Sequence, residues 1–276
     1  MIVETAPAKL NLALHVRARR PDGYHAIETL FAFVADGDEL RVAPADVPSF
    51  RISGPFGIAL NGEGDNLVTR AVAAFARDVA ALPPLAIELV KRLPVASGIG
   101  GGSADAAATL RVCARIAGVD PGDPQLEAVA AGLGSDVPAC LLGRTAIGSG
   151  RGEALRPVTG LAGTPVLLVN PGVAVSTGPV FAAWDGIDRG PLPRGDAWTI
   201  AATGRNDLAV PARQVAPVIG DVIDALDRLA GTSLVRMSGS GATCFALFDT
   251  PAACMAGSGA IRAAHPAWWC LETALT

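Results

Sequence analysis

Near the start of the chain, apolar and polar positions alternate. Ala8, Leu10, Leu12 and Leu14 fall on one side, and Lys9, Asn11, Ala13 and His15 on the other. A period of two predicts a strand with one face in a core and a polar second face. Residues 19–24, Arg-Arg-Pro-Asp-Gly-Tyr, predict a turn, because Pro-Asp-Gly supplies a fixed φ, a side-chain acceptor and a flexible third position. Strand-like runs resume at 26–34 and at 39–42. The spacing then predicts a helix over 66–82, with Asp65 as its cap, and a strand over 85–90. A helix follows the glycine run at 98–102, with Ser103 as N-cap and Gly118 as C-cap. Asp123 and Pro124 open a shorter helix that ends at Gly132. Residues 165–170 read as a buried strand and 215–229 as a helix. Strands at 234–238 and 243–248 flank Gly239-Ser-Gly241. The fold class is α+β, in two domains, with the boundary in the Pro/Gly/Thr-rich stretch at 155–163: residues 1–158 and 159–276.

Composition narrows the classes. The chain has 276 residues, half of them apolar, enough for a sizeable core. The net charge of −4, with charges interspersed, lacks the basic face of a nucleic-acid binder. No run of about eighteen uncharged apolar residues predicts a membrane span. The N-terminus lacks a basic-then-apolar leader pattern. Five cysteines (Cys113, Cys140, Cys244, Cys254, Cys270) are widely spaced with no C-x-x-C, and read as small buried hydrophobes in a reducing cytoplasm. His15, His25 and His265 show no metal-ligand spacing.

The segment most informative about chemistry is Pro94-Val-Ala-Ser-Gly-Ile-Gly-Gly-Gly-Ser103, between a strand and an alanine-rich helix. Glycines let a backbone approach a ligand closely, and a helix start offers unpaired N–H groups and a positive dipole end. This combination suits a phosphate. It is not a P-loop, since no Lys-Ser/Thr pair follows the last glycine. It is a poor dinucleotide fingerprint, since Ser103 stands where the third glycine belongs. Three further segments share its style. Lys9 and Asn11 share one strand face. Asp136, in Gly134-Ser-Asp-Val-Pro138, is a helix-cap candidate and equally a preorganised carboxylate. Gly239 and Gly241 suggest a second place where backbone approaches a ligand.

Taken in order, Pro7-Ala-Lys-Leu-Asn-Leu12, Arg20-Pro-Asp-Gly-Tyr-His25, the glycine loop, Gly134-Ser-Asp-Val-Pro138, Gly148-Ser-Gly-Arg-Gly-Glu153 and Met237-Ser-Gly-Ser-Gly241 resemble the GHMP kinase superfamily over nearly the whole chain. The first two segments are similar to the branch whose acceptor is a cytidine-diphosphate-linked methylerythritol. The resemblance implies a ribosomal protein S5 domain 2-like N-terminal domain and a ferredoxin-like C-terminal domain. It implies transfer of the γ-phosphoryl of ATP to the 2-hydroxyl of that alcohol. Asp136 is then the base and Lys9 the group that holds the hydroxyl and offsets charge, with Asn11 orienting the acceptor. Tyr24, His25 and Phe181 match a cytosine site, and Asn66 and Lys91 match positions near adenine. Pro94, Val95, Ala96, Ser97, Gly98, Ile99, Gly100, Gly101, Gly102, Ser103, Gly239 and Gly241 match the ATP site. Mg²⁺ is implied by ATP; no carboxylate ligand emerges, and Ser103 is the candidate. The family's loop begins with more glycines than this one, where Ala96 and Ser97 stand. The implied partners are ATP and the alcohol, with no nucleic acid or membrane, for a monomer or weak homodimer. Two alternatives stay open. One is a GHMP kinase with a homoserine- or mevalonate-type acceptor, which would need no cytosine site. The other is an RNA-binding protein, by analogy of the N-terminal fold to a ribosomal protein.

Overall fold

Strand β1, Ile2–Arg19, is much longer than the alternating run within it, and its middle is buried on both faces. This computed structural model describes residues 1–60 and 66–276. The expected polar face of β1 is corrected: Lys9, Asn11, Ala13 and His15 are all buried. Each of the three polar side chains has acquired a partner, which is what makes such burial tolerable. His15, for instance, has Nδ1 3.1 Å from the Gly190 carbonyl, and its Nε2 accepts from the Arg205 N–H. The Arg236 guanidinium donates to the carbonyls of Leu12, Ala201 and Gly204.

The runs at 26–34 and 39–42 are one strand, β2, His25–Pro44. Gly37 does not break it. A Cβ there would lie 1.9 Å from the Ala6 carbonyl oxygen, so glycine permits close approach to β1. Strand β3, Ser49–Ser53, precedes helix α1, Leu67–Asp78. The cap of α1 is Asn66, whose Oδ1 accepts from the Val68 N–H; Asp65, the expected cap, lies outside the described residues. The helix stops four residues short of the expected Leu82, ahead of Pro83 and Pro84. Strand β4, Leu85–Val90, is as expected. Helix α2, Gly101–Ala117, starts earlier than Ser103: Gly100 is its N-cap at φ 66°, which places Ser103 inside the first turn. Helix α3, Pro124–Leu133, is capped by Asp123, and α4, Val137–Leu142, follows. Strands β5, Ala146–Gly150, and β6, Ala154–Pro157, come next.

Strand β7, Pro165–Asn170, is buried as expected. Helices α5 (Thr177–Ala182), α6 (Ala197–Thr203) and α7 (Ala209–Val215) were not predicted. The helix expected over 215–229 is instead α8, Val218–Asp227, because Pro217 separates it from α7. Strands β8, Thr232–Met237, and β9, Cys244–Phe248, lead to α9, Pro251–Ala264, and β10, Trp269–Ala274.

Two compact units result. One comprises Met1–Ala8, Asp36–Val95 and Gly100–Gly143; the other comprises Lys9–Ala35, Ala96–Ile99 and Arg144–Thr276. In the first, β4 pairs antiparallel with the second half of β2 and parallel with β3. Leu40, Val42, Val68, Leu85, Leu89 and Val112 form its apolar core beside α1 and α2. In the second, the first half of β2 pairs with β5, and β5 with β6. A separate antiparallel sheet in the order β10-β7-β9-β8 carries α8 and α9. Its core includes Leu167, Val169, Val222, Leu226 and Phe248. Each such side chain contributes roughly 1.5–3 kcal/mol by leaving water.

Candidate active site

The glycine segment is divided between the two units. Ala96–Ile99 belongs to the second unit, woven in by its carbonyls: Ala96 O accepts from Val175 N, Ser97 O from Thr243 N, and Ile99 O from Lys9 N. Gly98 has φ 79°, and a Cβ on it would stand 2.5 Å from Ser238 O and 2.6 Å from Gly241 O. A Cβ on Gly239 would meet Gly98 O at 2.8 Å. Gly98 and Gly239 are thus glycines because the 96–99 and 238–241 loops approach backbone to backbone. The close approach expected at Gly239 is first of all an approach between these two loops. The Ser238 hydroxyl joins them to β1, donating to Gly98 O (2.9 Å) and accepting from the Asn11 N–H (3.2 Å).

Lys9 lies on the same part of β1. Its Nζ donates to Asn11 Oδ1 at 2.9 Å and sits 5.2 Å from the centre of the Phe31 ring. Asn11 in turn donates from Nδ2 to Thr29 Oγ1 at 2.8 Å, and that hydroxyl donates to Ala13 O at 2.7 Å.

The second unit also brings His25 and Phe181 together, with ring centres 4.8 Å apart and tilted by 38°. Trp184 also meets His25, edge-on, with ring centres 5.7 Å apart. His25 Nε2 is buried without a hydrogen-bond partner. Desolvation, helped by the nearby Arg19 charge, lowers the His25 pKa and favours the uncharged ring. Tyr24 is half exposed in the turn, and the Arg151 guanidinium lies 5.0 Å from its ring centre.

In the first unit, Pro94 is buried and Val95 partly so, while Gly100–Ser103 turn into α2. The early N–H groups of that helix lack intrahelical acceptors, so Gly101, Gly102 and Ser103 present donors at the positive dipole end. Just below them lies Lys91. Its Nζ, 3.4 Å from where a Gly101 Cβ would be, donates to Asp38 Oδ2 (2.5 Å) and Asp105 Oδ2 (2.7 Å). Asp38 Oδ1 also accepts the N–H groups of Arg92 and Leu93. Burial pushes the Asp105 carboxyl up to about 7, with Lys91 opposing and Asp38 adding to the rise. Burial lowers the Lys91 pKa, but the two carboxylates outweigh it and the net shift is upward. Lys91 therefore closes a buried ion triad. Asn66 caps α1. Asp136 occupies the N-cap position of α4 without making the side-chain cap bond, so capping does not account for its carboxylate.

Among the described residues, no three His, Cys, Asp or Glu side chains converge so as to hold a metal.

Thr29, Asp38, Asp105 and Ser238 join these groups through the structure. Asp105 has a legible signal, an acid among alanines in a helix. Ser238 stands between Met237 and the glycines of the 239–241 segment. Thr29 had no such signal, because only the pairing of distant strands gives it a role.

These features coincide with a known class. Residues 66–144 match the model for the GHMP kinases N-terminal domain, and residues 198–254 the GHMP kinases C-terminal model. A crystal structure of homoserine kinase from Cytophaga hutchinsonii shares the fold, with TM-score 0.70 and 19% identity over 99% of this chain and 94% of that one. Within that class, the chain belongs to the 4-diphosphocytidyl-2-C-methyl-D-erythritol kinase family. It is 52% identical to the protein of that name from Rhizorhabdus wittichii, over 99% of this chain and 94% of the relative. The same identity is found with the protein of that name from Sphingopyxis alaskensis, over 99% and 98%. A crystal structure of 4-(cytidine 5'-diphospho)-2C-methyl-D-erythritol kinase matches with TM-score 0.82 and 35% identity, covering 99% of both chains.

Proposed function

We propose that the chain transfers the γ-phosphoryl group of ATP to the 2-hydroxyl of 4-diphosphocytidyl-2-C-methyl-D-erythritol, releasing ADP, in isoprenoid precursor synthesis by the non-mevalonate route. The observation that carries this over other GHMP acceptors is the His25–Phe181 pair. A homoserine- or mevalonate-sized acceptor has no use for two apposed aromatic rings, whereas a cytosine does. The orphan Nε2 of His25 is suited to a base edge, and Tyr24 offers a third ring. The full-length identity to kinases of that name supports the same reading.

In this mechanism Asp136 accepts the proton of the 2-hydroxyl as the new O–P bond forms and the bond from the γ-phosphorus to the β–γ bridging oxygen breaks. Lys9 offsets the charge on the transferring group, and Asn11 orients both it and the acceptor. Phosphoryl transfer needs positioning and charge neutralisation more than covalent help. Residues 94–103 cradle the phosphates, with N–H donors at the start of α2. Gly239 and Gly241 shape the far side of that loop. Asn66 remains a candidate beside the adenine, and Lys91 acts there only indirectly, through its triad. Ser103 is the side chain that would help hold a Mg²⁺ carried in with ATP, and the ion would offset the charge of the phosphates there. Residues 1–158 and 159–276 are the proposed domains. The proposed setting is the cytoplasm, as monomer or weak homodimer, without nucleic-acid or membrane partners. Among the described residues, no helix is long and apolar enough to cross a membrane.

The test is ADP release with three alcohols. Turnover is expected with the diphosphocytidyl alcohol and not with homoserine or mevalonate; turnover on homoserine alone overturns the cytosine reading. Asp136→Asn is expected to lower kcat about 10²-fold or more while ATP still binds. Unchanged turnover in that variant removes Asp136 from the mechanism.

A further inference from the structure

We propose that Thr29 is a positioning residue for the reaction: through the Asn11 amide, its hydroxyl sets where Lys9 Nζ points. The proposal rests on the reading that Lys9 serves phosphoryl transfer, and on a hydrogen-bond chain whose polarity is determined at both ends.

At one end, Ala13 O is a carbonyl and can only accept, so the single proton of the Thr29 hydroxyl is spent on it. Toward Asn11, Thr29 Oγ1 can therefore only accept, and the group facing it must be the amide NH₂. At the other end, the Lys9 ammonium can only donate, and it requires the amide oxygen. Asn11 is the one link that satisfies both, and its amide has a single orientation. All of these groups are buried, with Thr29 fully so. Water cannot substitute for a lost partner without entering the core. Thr29 is itself held by strand pairing, since it lies opposite Gly148 in the β2–β5 register. Ser238 supports the chain from behind by accepting the Asn11 N–H.

Thr29→Val keeps the shape and removes both the acceptor and the donor. The buried Asn11 NH₂ must then seek another acceptor, which draws Oδ1 away from Lys9. Thr29→Ser keeps the hydroxyl. Lys9 and Lys91 are the only lysines in the chain, so ¹³C/¹⁵N-lysine labelling reports on Lys9 with Lys91 as an internal control. In Thr29→Val the Lys9 side-chain resonance is expected to move while that of Lys91 stays. kcat is expected to fall about tenfold or more, with KM for ATP within about threefold. Thr29→Ser is expected to restore both. If Thr29→Val does not fold, Thr29→Ala repeats the test with less steric demand. An unmoved Lys9 resonance overturns the proposal, as does an unchanged kcat in an active enzyme. A wild-type chain that phosphorylates none of the alcohols counts against the proposed reaction, and the lysine spectrum then decides the positioning role alone.

Discussion

Ala96 and Gly98, two residues apart, show how differently neighbouring positions of one loop constrain the side chain. Ala96 has φ 51°, the left-handed region, with its side chain exposed. A non-glycine residue there costs roughly 1–2 kcal/mol. Gly98 also has positive φ, but it has no room for a Cβ. Ala96→Gly is therefore expected to change stability by less than about 1 kcal/mol, relief of strain being offset by a freer unfolded chain. Gly98→Ala is expected to cost more than about 2 kcal/mol and to raise KM for ATP, because the loop must leave Ser238 and Gly241. Urea unfolding of the two variants checks the contrast. At Asp105 the same scale governs a pH effect. Its folded pKa lies above the ordinary 3.8, at about 7, so between those values the folded chain keeps a proton that the unfolded chain has lost. Stability contributed by this group is full below about pH 4 and is lost as pH rises toward 7. Asp105→Asn is expected to flatten that part of the profile, as read from thermal melts between pH 4 and 8. A profile that keeps its slope contradicts the assignment.

Among the elements, α2 matters most, because its first turn holds the glycine segment proposed to cradle phosphate and its body carries Asp105, which accepts from Lys91. The resemblance placed Lys91 near the adenine, whereas geometry gives it two buried carboxylates. Lys91→Met strands both carboxylates, and a loss of roughly 3–5 kcal/mol is expected in denaturant unfolding. A Lys91→Met protein of normal stability with a raised KM for ATP would return Lys91 to the nucleotide. Elements were legible where local rules act: Asp123-Pro124 opened α3, Gly118 closed α2, and the apolar run at 165–170 became β7. They were misread where a local signal was outweighed. Gly37 lies between two apolar runs and serves close packing against β1. Pro217 sat inside an apolar period that continued on either side. Helix α9 opens on a plain cap, Thr250 accepting from the Ala253 N–H with Pro251 at its start.

At the scale of the whole molecule, the chain passes repeatedly between its compact units. Lys9–Ala35 and Ala96–Ile99 lie before residue 158, yet they belong to the unit that contains Arg144–Thr276. A cut between 158 and 159 would part these segments from the strands and loops that satisfy their backbone, such as Thr243 and Val175. Fragments 1–158 and 159–276 are therefore expected to give poorly dispersed NMR spectra alone, and folded spectra only when co-expressed. Independent folding of both would show that the units tolerate the cut.

By itself, the sequence determined the class of fold, the family, and where a glycine segment stands between a strand and a helix. These are carried by local glycine, cap and periodicity rules, together with the order of motifs along the chain. Tertiary structure alone decided the partners. Lys9 became a buried, amide-held ammonium, Lys91 the centre of an ion triad, and Gly98 and Gly239 the contact between two loops. Burial and hydrogen-bond polarity depend on which distant segments meet, and no local pattern encodes that.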